Sequence, residues 1–186
     1  GGFAAAQGST PGARSAARPS IMQFSSLLAF TEYLPITAMI EATEPVVNPF
    51  AAVVIQLIIT YATKIFIHSG LSLLVHGYYD NVNSGRFTPT SSGGDLLVKR
   101  ARQAHENSFE ALIVFAVSVG LAVHAGVGGE LLERLSTAFV AARLAYVPVY
   151  LAAFNTPLSI VRSAVWGFGF IACLRICYHA LLAIEG

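Results

Sequence analysis

Four apolar stretches decide what this chain can fold into. They run over about residues 50–76, 108–128, 136–154 and 158–184, and each is near or above the roughly 20 residues that a helix needs to cross a bilayer. In lipid every backbone N–H and C=O must find its partner within the protein, which leaves continuous helices or a closed barrel. The stretches lack the alternation and regular turn spacing of barrel strands, so helices are expected. Composition agrees: only 11% of the residues are charged, well under the roughly 25% of a soluble domain. The expected fold class is all-α: an integral membrane four-helix bundle over residues 49–186, preceded by an N-terminal extension over 1–48.

The connections constrain how the spans pack. "NTP" at 155–157 is so short that spans three and four must be antiparallel neighbours. "HAGVGG" at 124–129 stops the second span with glycines. Pro148 should kink or loosen the third span and free the carbonyl of Leu144. The loop between spans one and two, with its edges, holds Arg86, Lys99, Arg100 and Arg102, whereas the next loop holds Arg134 beside Glu130 and Glu133. The positive-inside rule then puts the first loop and the "NTP" turn on the cytoplasm-equivalent side, matrix or stroma included.

Residues 1–20 are small, Ser- and Arg-containing and free of acids. That is the composition of a transit peptide or of the stub left by one, and it favours an organellar inner or thylakoid membrane, with the endomembrane system as the alternative. This stretch is expected to run extended against a neighbour. Residues 21–47, interrupted by Pro35 and Pro45, suit an interfacial helix along the membrane or against a partner. Phe24, Leu27, Leu28, Phe30 and Leu34 should then be exposed on the isolated chain.

Several functions are disfavoured. A net charge of +1 offers no basic surface to nucleic acid. Cys173 and Cys177 sit four apart on one helix face, where disulfide geometry is poor and further metal ligands are missing, so they read as small buried side chains and no metal site is expected. Lys64 reads as snorkelling or paired, and His68 and His76 share a face only loosely.

Other polar residues do recur with helical spacing. Arg100, Gln103, Asn107 and Glu110 form one stripe on span two, Arg143, Tyr146 and Tyr150 another on span three, and Arg162 and Ser163 follow one turn after "NTP". All lie toward one side of the membrane, where ionisable groups are costly and point into a bundle, pair, or mark a site. Two readings stay open. In one, Glu110 neutralises Arg100, Arg143 or Arg162 as a structural pair, within one chain or across a trimer interface, with Ser108 a small packing residue and His105 lining the start of the helix. In the other, cations, tyrosines and a carboxylate surround a zwitterionic peptide thiol. Arginines would take its carboxylates, the glutamate its amine, and a cation beside the sulfur would favour the nucleophilic thiolate.

At these residues the chain resembles a known family. "RARQAHENSFEA" is similar to the signature Arg-Ala-x-x-Ala-His-x-Asn-x-x-Glu of the MAPEG family, the membrane-associated proteins of eicosanoid and glutathione metabolism. "ARLAYVPVYLAAFNTPLSIVRSAVWGFGFI" resembles its second signature, Arg-x-x-Tyr-x-x-x-Tyr followed by Arg-Ser and a Trp, and "GYYDNVNSGR" resembles a loop of a largely bacterial branch. The resemblance covers about residues 50–184. It implies a left-handed four-helix bundle in a homotrimer, with glutathione bound between neighbouring subunits.

Residue by residue, Asn107, Glu110, Arg143 and Tyr150 match motif positions, and Arg162 and Ser163 match the pair credited with holding the thiolate. Tyr146 stands where the prostaglandin synthases carry a histidine, and Arg100 joins the binding set. Gln103 and Glu106 depart from the pattern, because glutathione-binding members often carry arginine there. The family also contains a non-catalytic member. Two functions follow from this: a glutathione-dependent transferase or peroxidase acting on lipophilic substrates, or a non-catalytic accessory subunit of a large respiratory or photosynthetic complex, docked through the extension.

Overall fold

The computed structural model describes residues 28–77 and 93–185. Expectations about residues 1–20, about Phe24 and Leu27, and about the loop containing Arg86 lie outside the described residues. A 3₁₀ turn, Ala29–Tyr33, leads into the short helix α1, Pro35–Glu41. Four long helices follow: α2 (Pro49–His76), α3 (Gly93–His124), α4 (Glu130–Ala152) and α5 (Thr156–Glu185). All four are long and apolar enough to cross a membrane. The chain is an all-α integral membrane protein built on a four-helix bundle.

Local chemistry sets the helix limits. Pro49 opens α2 at a position where its missing amide costs nothing, and the Asn48 side chain accepts a hydrogen bond from the Phe50 amide at 3.0 Å. Between α3 and α4, Gly126 and Gly129 take positive φ values of 80° and 71°, which a side chain would resist. Asn155 opens α5 by accepting from the Leu158 amide at 3.0 Å.

Two features depart from the sequence expectation. α3 starts at Gly93, about two turns before Arg100, where the polar stripe of span two begins. Val98, Ala101, Ala104 and Ser108 recur on its buried face, while Lys99, Gln103 and Glu106 are exposed. This is an amphipathic helix start, which a search for unbroken apolarity passes over. With 32 residues α3 is about 48 Å long at 1.5 Å per residue, well beyond a hydrocarbon core of roughly 30 Å. The second departure is in α2, where Thr63–Ser69 is wound as a π-helix. Around this wider turn side chains take up carbonyls: Ser69 Oγ donates to Lys64 at 3.0 Å, and His105 Nδ1 lies 3.1 Å from the Thr60 carbonyl.

α4 is the most enclosed span. Its Phe139 stacks on Phe115 of α3 with ring centroids 3.9 Å apart, and Leu132, Leu135, Val119, Ala122 and Ile176 pack around them. α5 returns antiparallel to α4 and lies close to it at Gly169, where a Cβ would sit 3.5 Å from the Ala142 Cβ. Helix α4 runs through Pro148 as one element. Pro148 is exposed and lies within the last turns, so its ring crowds no neighbouring helix and the lost amide bond falls near the helix end.

The extension packs on the end of the bundle where α3 finishes and α4 begins. Ile40 of α1 is fully buried in the main core. Arg175 of α5 pairs with Glu41 and lies 3.5 Å from Glu32. Arg134 donates to the carbonyls of Glu41 and Thr43 at 3.3 and 3.2 Å. Of the apolar residues expected to be exposed here, Phe30 is so, while Leu28 and Leu34 are half-buried.

The approach of α5 to α4 generates a test. Gly169→Ala places a methyl at ordinary contact distance and should leave the thermal midpoint in detergent near that of the parent. Gly169→Leu must overpack the seam and should cost about 1–3 kcal/mol. Equal midpoints for the two variants would contradict the close packing.

Candidate functional site

The two stripes and the start of α5 meet at the end of the bundle opposite the extension. The Asn107 amide donates to Tyr146 Oη at 2.9 Å, and the Tyr146 and Tyr150 rings lie 5.4 Å apart. Arg143 sits 4.3 Å from the Tyr146 ring centroid, and Arg162 sits 5.0 Å from that of Tyr150. Arg100 lies 4.4 Å from the Phe154 ring. Three arginines therefore rest on aromatic faces, an attraction that strengthens as the cation is desolvated. The Tyr150 hydroxyl donates to Gln103 Oε1 at 3.3 Å.

The arginines differ in access. Arg143 is only 2% exposed and has no carboxylate partner among the described residues. Its Nη2 donates to Ser108 Oγ at 3.1 Å, and Ser108 Oγ donates to the Ala104 carbonyl at 2.8 Å. The Ser108 carbonyl in turn accepts from Gln56 Nε2 at 3.0 Å and from Thr60 Oγ1 at 3.1 Å. Ser108 is thus a hydrogen-bond hub as well as the small packing residue expected from sequence. Gln56 and Thr60 did not stand out in the sequence. Their only signal was a pair of polar residues four apart, on one face of an otherwise apolar span.

Arg143, Tyr146 and Tyr150 are buried, Arg100, Asn107 and Arg162 are half-buried, and Ser163 and Glu110 are exposed. Ser163 Oγ donates to the Ser159 carbonyl of its own helix at 3.1 Å. The structural pair anticipated for Glu110 is not made within the chain, because Arg143 turns to Ser108 instead. Glu110 is two residues beyond Ser108, about 200° around the helix, and so points out of the bundle. Of the two departures from the family pattern, Gln103 holds Tyr150, and Glu106 pairs with Arg102 at 2.9 Å.

The cysteines are free thiols, Cys173 buried and Cys177 with its Sγ 3.3 Å from Ser118 Oγ. No group of three or more His, Cys, Asp or Glu suited to a metal occurs among the described residues.

A four-span bundle with arginines, tyrosines and an asparagine gathered on its inner helices defines a class of polytopic membrane protein with a polar site among its spans. The chain matches the MAPEG family over residues 48–182 and belongs to that family. No individual curated protein and no solved structure matches it.

The hub makes a prediction about stability. Ser108→Ala removes the hydrogen-bond partner of a buried guanidinium and should cost about 1.5–3 kcal/mol, read as a lower thermal midpoint in detergent. An unchanged midpoint would mean that Arg143 does not depend on this contact.

Proposed function

We propose that the protein is a glutathione-dependent membrane transferase or peroxidase acting on lipophilic substrates, its site completed between copies of the chain in a homotrimer. The observation that carries this reading is a mismatch of charges. Arg162 lies half-exposed against Tyr150 and Glu110 lies exposed, and neither has an ion-pair partner among the described residues. An ionised side chain at membrane depth without a partner costs about 2.5–3.5 kcal/mol on insertion scales. A neighbouring subunit and a zwitterionic ligand would relieve that cost together.

The donor set fits glutathione in kind. Arg100 carries a buried Nη1 with no hydrogen-bond partner and suits a carboxylate. Glu110 suits the ligand's amine, and Asn107 adds an amide already oriented by Tyr146. Glutathione, when bound, supplies the thiol that becomes the nucleophile.

The chain's own part is to hold that sulfur ionised and to orient the partners. Arg162, held 5.0 Å from the Tyr150 ring centroid, would set positive charge beside the sulfur and favour its ionised form. The Ser163 hydroxyl, if rotated off the Ser159 carbonyl, would be a second donor to that sulfur. Tyr150 is held by Gln103 and positions Arg162, while the buried Arg143 acts through Tyr146 and Ser108 rather than by touching a ligand.

A second reading rests on a specific observation. Gln103 and Glu106 remove two cations that would draw in an anionic tripeptide, and both are engaged within the chain. That favours an accessory role beside other membrane subunits, in an organellar complex. The mass of the native assembly separates the readings: copies of this chain alone support the enzyme, and a stable set of unrelated chains supports the accessory subunit.

Adding glutathione to the purified protein should raise the ultraviolet absorbance of a thiolate. Arg162→Leu should abolish that rise and lower any conjugating or peroxide-reducing rate about 100-fold, the scale of losing one preorganised charge-stabilising group. No absorbance change at saturating glutathione would sink the enzyme reading.

A further inference from the structure

We infer that residues 29–47 form a monotopic element immersed in the headgroup–acyl boundary of the bilayer, on the side of the membrane opposite the candidate site. The first support is depth. The segment does not sit above the bundle but runs down beside it: the amides of Val46 and Val47 donate to Thr137 Oγ1 at 3.2 and 3.1 Å. Thr137 lies seven residues into α4, about 10 Å along the helix from Glu130. Glu41 likewise reaches Arg175, ten residues before the end of α5.

The second support is how the backbone is satisfied. In water an irregular segment leaves its amides and carbonyls to solvent, whereas in an apolar medium each needs a protein partner. Here Arg134 takes the carbonyls of Glu41 and Thr43, and Thr137 takes the two valine amides. Asn48 takes the Phe50 amide, and the Thr37 hydroxyl takes the Thr31 carbonyl. Arg134 and Thr137 of the bundle thus close hydrogen bonds where the segment leaves helix α1, and Thr37 and Asn48 close others from within the extension.

The third support is that the segment is apolar on both sides. Its inner side buries Ile40 and packs Ile36 and Val47 on the core, while Phe30, Tyr33, Met39 and Val46 are exposed on the outer side. Val46 lies four residues before Phe50, which opens the exposed apolar row Phe50, Val54, Leu57 and Ile58 on α2, a helix long and apolar enough to cross a membrane. Of the segment's three acids, Glu32 and Glu41 are drawn to Arg175 and Glu44 is exposed. An outer face carrying exposed Phe30, Tyr33, Met39 and Val46 fits acyl chains and glycerol backbones rather than water.

Fluorescence quenching tests this in the full-length protein. The chain has one tryptophan, Trp166, so Trp166→Phe/Tyr33→Trp and Trp166→Phe/Met39→Trp each carry a single reporter at an exposed position. The variants are reconstituted into phosphatidylcholine vesicles. We expect a several-fold greater loss of emission with lipids spin-labelled near the headgroup than with aqueous iodide, at both positions. Stronger quenching by iodide would overturn the inference in favour of a water-facing segment. Resistance to both quenchers would overturn it in favour of a covering protein, whether a second copy or another subunit.

Discussion

A guanidinium enclosed among four apolar helices, with no carboxylate to meet it among the described residues, sets the terms for the rest of this molecule. Arg143 is held by the Ser108 hydroxyl and the face of Tyr146, and each of those is held in turn. Ser108 is fixed from α2 by Gln56 and Thr60, and Tyr146 is fixed by Asn107. The result is a polar seam joining α2, α3 and α4 through the part of the bundle where dispersion alone would leave the helices free to slide. In lipid, where helices gain little from the hydrophobic effect against one another, such hydrogen bonds help to fix register. The same seam carries its order outward to Tyr150 and Arg162, so the accessible arginine inherits its position from the buried one.

The two ends of the bundle differ in charge and in workmanship. The site end gathers Lys99, Arg100, Arg102, Arg143 and Arg162, with Asp95, Glu106 and Glu110 as described acids, and leaves cations resting on rings. The opposite end gathers Glu32, Glu41, Glu44, Glu130, Glu133 and Glu185 around Arg134 and Arg175, which are tied by ion pairs and carbonyl contacts. One end is closed by interactions made within the chain. The other keeps charge in reserve.

Much of this was legible in the sequence. The four spans, the antiparallel pairing of α4 and α5 across "NTP" and the family followed from apolar length, a short connection and two spaced motifs. The convergence of Asn107, Tyr146, Tyr150 and Arg162 followed from three-and-four spacing on adjacent helices. Three things did not follow. The first two turns of α3 were not legible because two glycines followed by an aspartate carry the composition of a loop. The hydroxyl partner of Arg143 was not legible because charge alone points a guanidinium to a carboxylate, whereas the angle between positions 108 and 110 on a helix brings the hydroxyl to it. The role of Gln56 was not legible because a glutamine and a threonine one turn apart give no sign of the Ser108 carbonyl they meet on another helix.

The π-wound stretch of α2 bears on how this span compares with its relatives. A π turn is what an α-helix becomes when it absorbs one extra residue without breaking. Thr63–Ser69 therefore behaves as a one-residue insertion, and the helix beyond it is turned by about 100° relative to an unbroken α-helix of the same register. That turn helps to bring His76 to within 3.5 Å of Asp95 at the start of α3. A chain that lacked the extra residue would keep both halves of the span and their apolarity. It would nonetheless present a different edge of Gly70–His76 to its neighbour, so that residues matched one for one across this turn would belong to different surfaces.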